Sequence, residues 1–86
     1  MKKEVSLLIN DSIKEFDVFV DDVFKSSEEG KTILNIVLDS EEVIDLNRIT
    51  EASRVINKIL DKEKSLLEDI DELDIYSKEK GEDENA

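Results

Sequence analysis

Carboxylates are the most abundant chemically functional side chains in this sequence. The 86 residues contain 24 Asp and Glu against 12 Lys and Arg, a formal net charge of -12, and no His or Cys. Without imidazole or thiolate groups, a zinc site, a disulfide, an acid–base histidine and a cysteine nucleophile are excluded. No phosphate-binding loop or cofactor motif accompanies the carboxylates, so we expect no enzyme, no metal and no cofactor.

The acidic residues form clusters that could dock a basic partner. We predict partner binding by acids before the long helix and near the carboxyl end of the chain: Glu41, Glu42, Asp45, Asp69, Asp71, Glu72 and Asp74. The alternative is a solvated surface that keeps a small domain soluble. The spacing of Asp69, Asp71 and Asp74 resembles that of a calcium-binding loop, but the Gly in mid-loop and the Glu at the twelfth position are absent. We therefore predict no calcium site.

Four aromatic residues could offer a stacking surface to single-stranded RNA. They lack the interleaved Lys and Arg of such surfaces, so we interpret them as core or sheet-face residues: Phe16, Phe19, Phe24 and Tyr76. Phe19 is an exception, because it falls on the otherwise polar face of its predicted strand. The acidic chain as a whole also lacks the basic footprint with which proteins displace counterions from nucleic acid.

Helical periodicity predicts two of the elements that position these side chains. Apolar residues three and four apart predict a first helix over 4–13. A long helix follows an N-cap at Asp45, and its apolar stripe runs from Leu46 to Leu60. Residues 61–71 either extend this helix or form a loop that folds back under the sheet.

Alternating hydrophobicity predicts three strands. Segments 16–25 and 32–39 flank a polar loop with Gly30 and predict a β-hairpin, and a short third strand is predicted at 72–77. In the first strand, one face carries the apolar residues and Asp22 interrupts it: Phe16, Val18, Val20 and Phe24. The order α-β-β-α-β predicts an α+β two-layer sandwich, with two helices packed on one face of a three-stranded sheet.

Chain length and composition predict the domain organisation. A chain of this length buries one modest core, so residues 1–77 are predicted to form one α+β domain. Residues 78–86 have no apolar side chain except the terminal Ala and are predicted to be an acidic, disordered tail. No apolar run approaches the ~20 residues of a membrane span. Because the sequence has no signal-peptide core, we expect a cytoplasmic protein. We also expect it to act as a monomer.

Several short motifs follow one another in a distinctive order between residues 13 and 77. They are Phe16-Asp17-Val18, Gly30, Leu38-Asp39, Ile44-Asp45-Leu46, Glu51, Ser53-Arg54, Leu60-Asp61 and Leu73-Asp74-Ile75. This order resembles the N-terminal domain of the bacterial ribosome maturation factor RimP family. The family usually continues through a Ser-Ser-Pro-Gly turn into an SH3-like barrel. Here Tyr76-Ser77-Lys78-Glu79 stands instead, and we expect the C-terminal SH3-like domain to be absent from this chain.

The resemblance implies a non-catalytic factor for maturation of the small ribosomal subunit. Its implied partners are the immature small subunit and a basic ribosomal protein. The negative charge agrees with this, since an acidic chain attracts a Lys- and Arg-rich protein and repels bare RNA. The alternative is an acidic inhibitor or nucleic-acid mimic that blocks a basic nucleic-acid-binding protein. Neither hypothesis involves a membrane or strong nucleic-acid binding by this domain.

Overall fold

Two helices and three strands alternate in the order α-β-β-α-β in the computed structural model, which describes residues 2–42 and 45–78. Their bounds are α1 Lys2–Ile13, β1 Phe19–Glu28, β2 Lys31–Asp39, α2 Leu46–Asp61 and β3 Glu72–Ser77, with a short 3-10 helix at Lys14–Phe16 after α1. The sheet has the strand order β1-β2-β3, and both helices pack on one of its faces. The predicted α+β two-layer sandwich is confirmed.

The β1–β2 hairpin is tighter than the sequence predicts. The strands extend to Glu28 and from Lys31, which leaves a two-residue turn of Glu29 and Gly30 in place of a longer loop. Both turn residues have positive φ, 54° and 82°, as in the type I′ turns that match the twist of a hairpin. Strand β2 then pairs in parallel with β3, and α2 lies in the connection between them.

A β-bulge changes the periodicity of β1. Val20 pairs with Leu38 and Asp22 pairs with Val37, so Asp21 is an extra residue in β1. Because the bulge inserts one residue, Val20 and Val23 both reach the core although they are three apart. Phe24 was predicted on the same face as Val20, and this is wrong.

The segment that contains Phe16 also differs from the prediction. Phe16 lies in the 3-10 helix, before β1 begins, and packs half-buried against the core. Strand β1 therefore starts at Phe19, three residues later than the pattern predicts, and it extends beyond the predicted Lys25 to Glu28. The strand-like alternation of 16–25 continues from the 3-10 helix into β1. The sequence therefore does not show where the strand begins.

The core lies between the helices and the inner face of the sheet. Its fully buried residues come from both helices and all of the inner positions of β2: Val5, Ile9, Ile13, Leu34, Ile36, Leu38, Ala52, Ile56 and Leu60. After α2 ends at Asp61, residues 62–71 form successive turns that pack Leu66, Leu67 and Ile70 against this core. Of the two predicted alternatives for this segment, the structure has the loop.

The carboxyl end of the described chain is attached to the sheet. The Lys78 N–H donates to the Leu38 carbonyl at 2.7 Å, and Lys78 Nζ lies 3.6 Å from Asp21 Oδ2. The rest of the predicted tail, residues 79–86, lies outside the described residues. In the described parts of the chain, no helix has the length and apolar character needed to cross a membrane.

Candidate partner-binding surface

One face of the sheet has no helix packed on it in the described structure, and we call it the outer face. Side chains alternate along a strand, so the residues between Leu34, Ile36 and Leu38 point away from the core. The outer face comprises β1 residues after the bulge and the matching positions of β2 and β3: Asp22, Phe24, Ser26, Ile33, Asn35, Val37, Glu72, Asp74 and Tyr76. Phe19 lies at its edge, paired with Asp39.

The outer face is apolar at its centre. Ile33 and Val37 in the middle strand are each only 8% exposed. Phe24 and Phe19 in the edge strand are 42% and 43% exposed. Two large aromatic side chains thus present more than two-fifths of their surface to solvent on one sheet face, which is typical of an interaction surface.

Asn35 holds the three strands together on the outer face. It is 6% exposed, and its Nδ2 donates to Ser26 Oγ at 2.9 Å and to the Phe24 carbonyl at 3.3 Å. Its Oδ1 accepts from the Tyr76 hydroxyl at 3.4 Å. Since these partners lie in β1 and β3, one buried amide links both edge strands to β2 and orients Tyr76 on the face.

The lysines of the sheet are each paired with a carboxylate. Lys25 Nζ lies 3.0 Å from Asp69 Oδ2, and Lys31 Nζ lies 3.5 Å from Glu72 Oε2. The outer-face acids Asp22 and Asp74 are exposed, and the described structure places no lysine or arginine nitrogen within ion-pair distance of them. The electrostatic character of the face is therefore acidic, and it favours a cationic ligand over a phosphate backbone.

An acidic groove lies at the end of the sheet where β2 finishes. It has a volume of about 490 Å³ and is lined by Lys14, Asp17, Val18, Phe19, Ser40, Glu41 and Glu42. Asp17 has a left-handed conformation with φ 60°, and its N–H donates to the Lys14 carbonyl at 2.9 Å. Because Phe19 lines the groove and also lies at the edge of the outer face, the two surfaces are continuous.

The structure separates the acids that the sequence predicts as a docking surface. Glu41 and Glu42 line the groove at the carboxyl end of β2. Asp69, Asp71 and Glu72 lie at the other end, where Asp71 Oδ2 accepts from the Thr32 N–H at 2.8 Å. The nine residues of β2 span eight steps of about 3.3 Å, so its two ends, where the two groups lie, are roughly 26 Å apart.

Four of the predicted acids also have roles within the domain. Asp45 is the N-cap of α2, and its Oδ1 accepts from the Arg48 N–H at 2.9 Å, as predicted. Asp69 and Glu72 pair with lysines of the hairpin, and Asp71 bonds the backbone of β2. The Lys25 ammonium, which donates a hydrogen bond to Asp69, holds the pKa of that carboxyl below its usual value. Glu72 and Asp74 lie on the outer face in its edge strand β3, where Asp74 is paired in register with Asn35.

Sequence reasoning missed the centre of this surface. Strict alternation places Phe24 on the same strand face as Val20, and no pattern in the sequence singles out Asn35. The one available signal is Asp22, which interrupts the apolar face of β1 and marks the bulge that turns Phe24 outward. No group of three side chains suited to a metal ion occurs within 2–42 and 45–78.

The fold and this surface define a small α+β domain with exposed acidic and aromatic side chains on one face of its sheet. The sequence model described as the RimP N-terminal domain matches residues 8–77, which is well over half of the chain. The chain therefore belongs to the RimP N-terminal domain family, and this family is a non-catalytic ribosome maturation factor family. No individual curated protein matches the chain significantly.

Proposed function

We propose that this domain assists maturation of the small ribosomal subunit in the cytoplasm by binding a basic ribosomal protein or the immature subunit that receives it. The observation that carries the proposal is the family match over residues 8–77. The net charge of -12 supports it, because such a chain attracts a Lys- and Arg-rich protein. The domain acts by binding alone, without a cofactor or metal.

Electrostatic attraction supplies the physical mechanism. A chain with this net charge raises the local concentration of a cationic protein and speeds its encounter. While the basic protein is held, its cationic surface is shielded from unrelated stretches of RNA. The complex then releases the protein where ribosomal RNA offers a higher density of negative charge and a matching site. The domain needs no strong contact with RNA for this.

Titration with purified immature small subunits tests the proposal. Binding is expected at low ionic strength and is expected to weaken as salt rises from about 0.1 M to about 1 M, where the screening length falls from about 10 Å to about 3 Å. Mature small subunits are the matched control, and they should bind more weakly because the ribosomal protein is already in place. If no binding to immature subunits is detected at low salt, the proposal is wrong.

Competition with nucleic acid separates this function from that of an acidic inhibitor. The isolated small-subunit proteins are incubated with the chain, and labelled RNA is added. A maturation factor should yield the basic protein to its ribosomal RNA, whereas a nucleic-acid mimic should keep RNA from binding. Persistent exclusion of the ribosomal RNA would favour the inhibitor.

A further inference from the structure

We propose that the outer face of the sheet is the surface that binds the basic partner, and that it does so by stacking arginine side chains on Phe24 and Phe19 beside Asp22 and Asp74. This inference rests on the proposed function, since it locates the contact with that same partner. In place of the scattered acidic clusters, it assigns the docking to one sheet face with two exposed aromatic residues in its edge strand.

The first observation is the unusual exposure of the two aromatic residues. Phe24 and Phe19 are each more than two-fifths exposed and lie on the same face of the sheet, where Phe24 is paired with Asn35 and Phe19 with Asp39. Leu7 and Leu46 are more exposed, at 75% and 82%, but they lie on different helices. Isolated apolar residues of that kind are common on protein surfaces, whereas two exposed aromatic residues on one sheet face without a helix are typical of a contact surface.

The second observation is the charge at the border of this face. Asp22 precedes Phe24 by two residues and shares its face, and Asp74 is paired in register with Asn35 at the centre. Lys31 lies against Glu72 at 3.5 Å, which reduces the positive charge at the hairpin end. A cation on the partner is thus complementary to the face. An RNA phosphate would meet carboxylates, and a second copy of a chain at -12 would be repelled.

Arginine fits this combination better than lysine. Its planar guanidinium is weakly hydrated and stacks on an aromatic ring, while its N–H groups remain free to donate to a carboxylate at the side. The ammonium of lysine is compact and strongly hydrated, so it gains less from an apolar surface. The partner segment is therefore expected to be rich in arginine and to carry apolar residues that contact the exposed parts of Phe24 and Phe19.

The side-chain amide of Asn35 is a reporter for ligands on this face. The full 86-residue chain, labelled with nitrogen-15, is titrated with a synthetic peptide of alternating Arg and Val, and then with its Lys and Val counterpart. The Asn35 Nδ2 signals should shift, because the amide is bonded to Ser26 and Phe24 on the face. Asn57 on α2 is the control, and its exposed amide should stay unchanged.

Substitutions test whether the aromatic and acidic residues carry the binding. Phe24→Ser should weaken binding of the Arg–Val peptide about fivefold, in keeping with the loss of a cation–π contact and apolar area. Leu7→Ser removes an exposed apolar side chain from α1 and should leave the affinity unchanged. Asp74→Asn should weaken binding, while Glu51→Gln on α2 removes the same charge and should change it less. Circular dichroism verifies that each variant is folded.

The outcomes separate this inference from the proposed function. If immature subunits bind the wild-type chain but Phe24→Ser and Leu7→Ser bind them equally well, the outer face is not the contact and the proposed function stands. If immature subunits do not bind the wild-type chain, both the proposed function and this inference are wrong. The inference is also overturned if the Lys peptide binds as tightly as the Arg peptide, if single-stranded RNA shifts the Asn35 signals and the peptides do not, or if the shift grows with protein concentration alone.

Discussion

Glu29 adopts a left-handed backbone conformation that its residue type disfavours. With φ 54° it is the first residue of the two-residue turn, and Gly30 with φ 82° is the second. A left-handed conformation costs an ordinary residue roughly 1–2 kcal/mol, and Asn tolerates it best among residues with a side chain. Glu29→Asn is therefore expected to raise the free energy of unfolding by about 0.5–1 kcal/mol, measured by urea denaturation. Glu29→Gln removes the same charge without that preference, so equal stability of the two variants would contradict the prediction.

Asn35 is the buried polar residue on which the outer face depends. Asn35→Ala removes the amide that joins Ser26, Phe24 and Tyr76, and it leaves these groups with one partner fewer in a half-buried place. The loss should lower the free energy of unfolding by about 1–3 kcal/mol. Asn57→Ala is the control, since its amide bonds one carbonyl of its own helix at 2.9 Å and is exposed. Its effect should stay within about 0.5 kcal/mol. Similar losses in both variants would mean that the network contributes little.

At the scale of elements, the loop between α2 and β3 is attached to the hairpin at two places. Asp71 exchanges bonds with the Thr32 backbone, its N–H donating at 2.8 Å, and Asp69 pairs with Lys25 at 3.0 Å. The contact with Lys25 lowers the pKa of Asp69 in the folded chain. Because the pKa is lowered, the ionised Asp69 carboxylate stabilises the fold at pH values above 3.8, the pKa of the unfolded chain. This stabilisation is lost as the pH falls through the lower pKa of the folded chain.

Asp69→Asn should therefore lower Tm at neutral pH. The difference in Tm between this variant and the wild-type chain should begin to shrink as the pH falls below 3.8, where the Asp69 carboxyl becomes protonated in the unfolded chain, and should vanish below the lower pKa of the folded chain. Thermal unfolding followed by circular dichroism at several pH values measures this difference. In the Lys25→Met background the same substitution should change Tm much less, since its partner is gone. A difference that is constant with pH would show that the ion pair has no part in it.

Elements with a single period are predictable from this sequence, and those that change period are not. Strand β3 was predicted with its observed bounds, and Leu34, Ile36 and Leu38 of β2 were predicted on the face that they occupy. Both predictions succeed because the alternation of inward and outward side chains continues without interruption along these strands. In β1 the bulge at Asp21 breaks the alternation, which placed Phe24 on the wrong face. The candidate surface could not be predicted, since Phe24 and Tyr76 meet on Asn35 only once β3 lies beside β2, and local patterns carry no strand order.

At the scale of the whole molecule, the net charge of -12 affects folding and binding in opposite directions. Like charges repel one another more in the folded chain than in the expanded unfolded chain, so screening should stabilise the fold. Raising the salt from about 0.01 M to about 0.1 M shortens the screening length from about 30 Å to about 10 Å. Tm is therefore expected to rise over this range, as measured by thermal unfolding at constant pH. Exposed ion pairs such as that of Lys14 with Asp11 each contribute too little to reverse the trend.

The two salt dependences together test whether charge attracts the partner. If affinity for immature subunits falls over the same salt range in which Tm rises, the loss of binding cannot come from unfolding and must come from screening of the attraction. A neutral osmolyte is the control, because it stabilises the fold without screening charge, and it should leave the affinity nearly unchanged. A Tm that falls with salt would mean that attractive pairs outweigh repulsion. The acidic charge would then serve the fold itself, and the electrostatic part of the proposed function would lose its support.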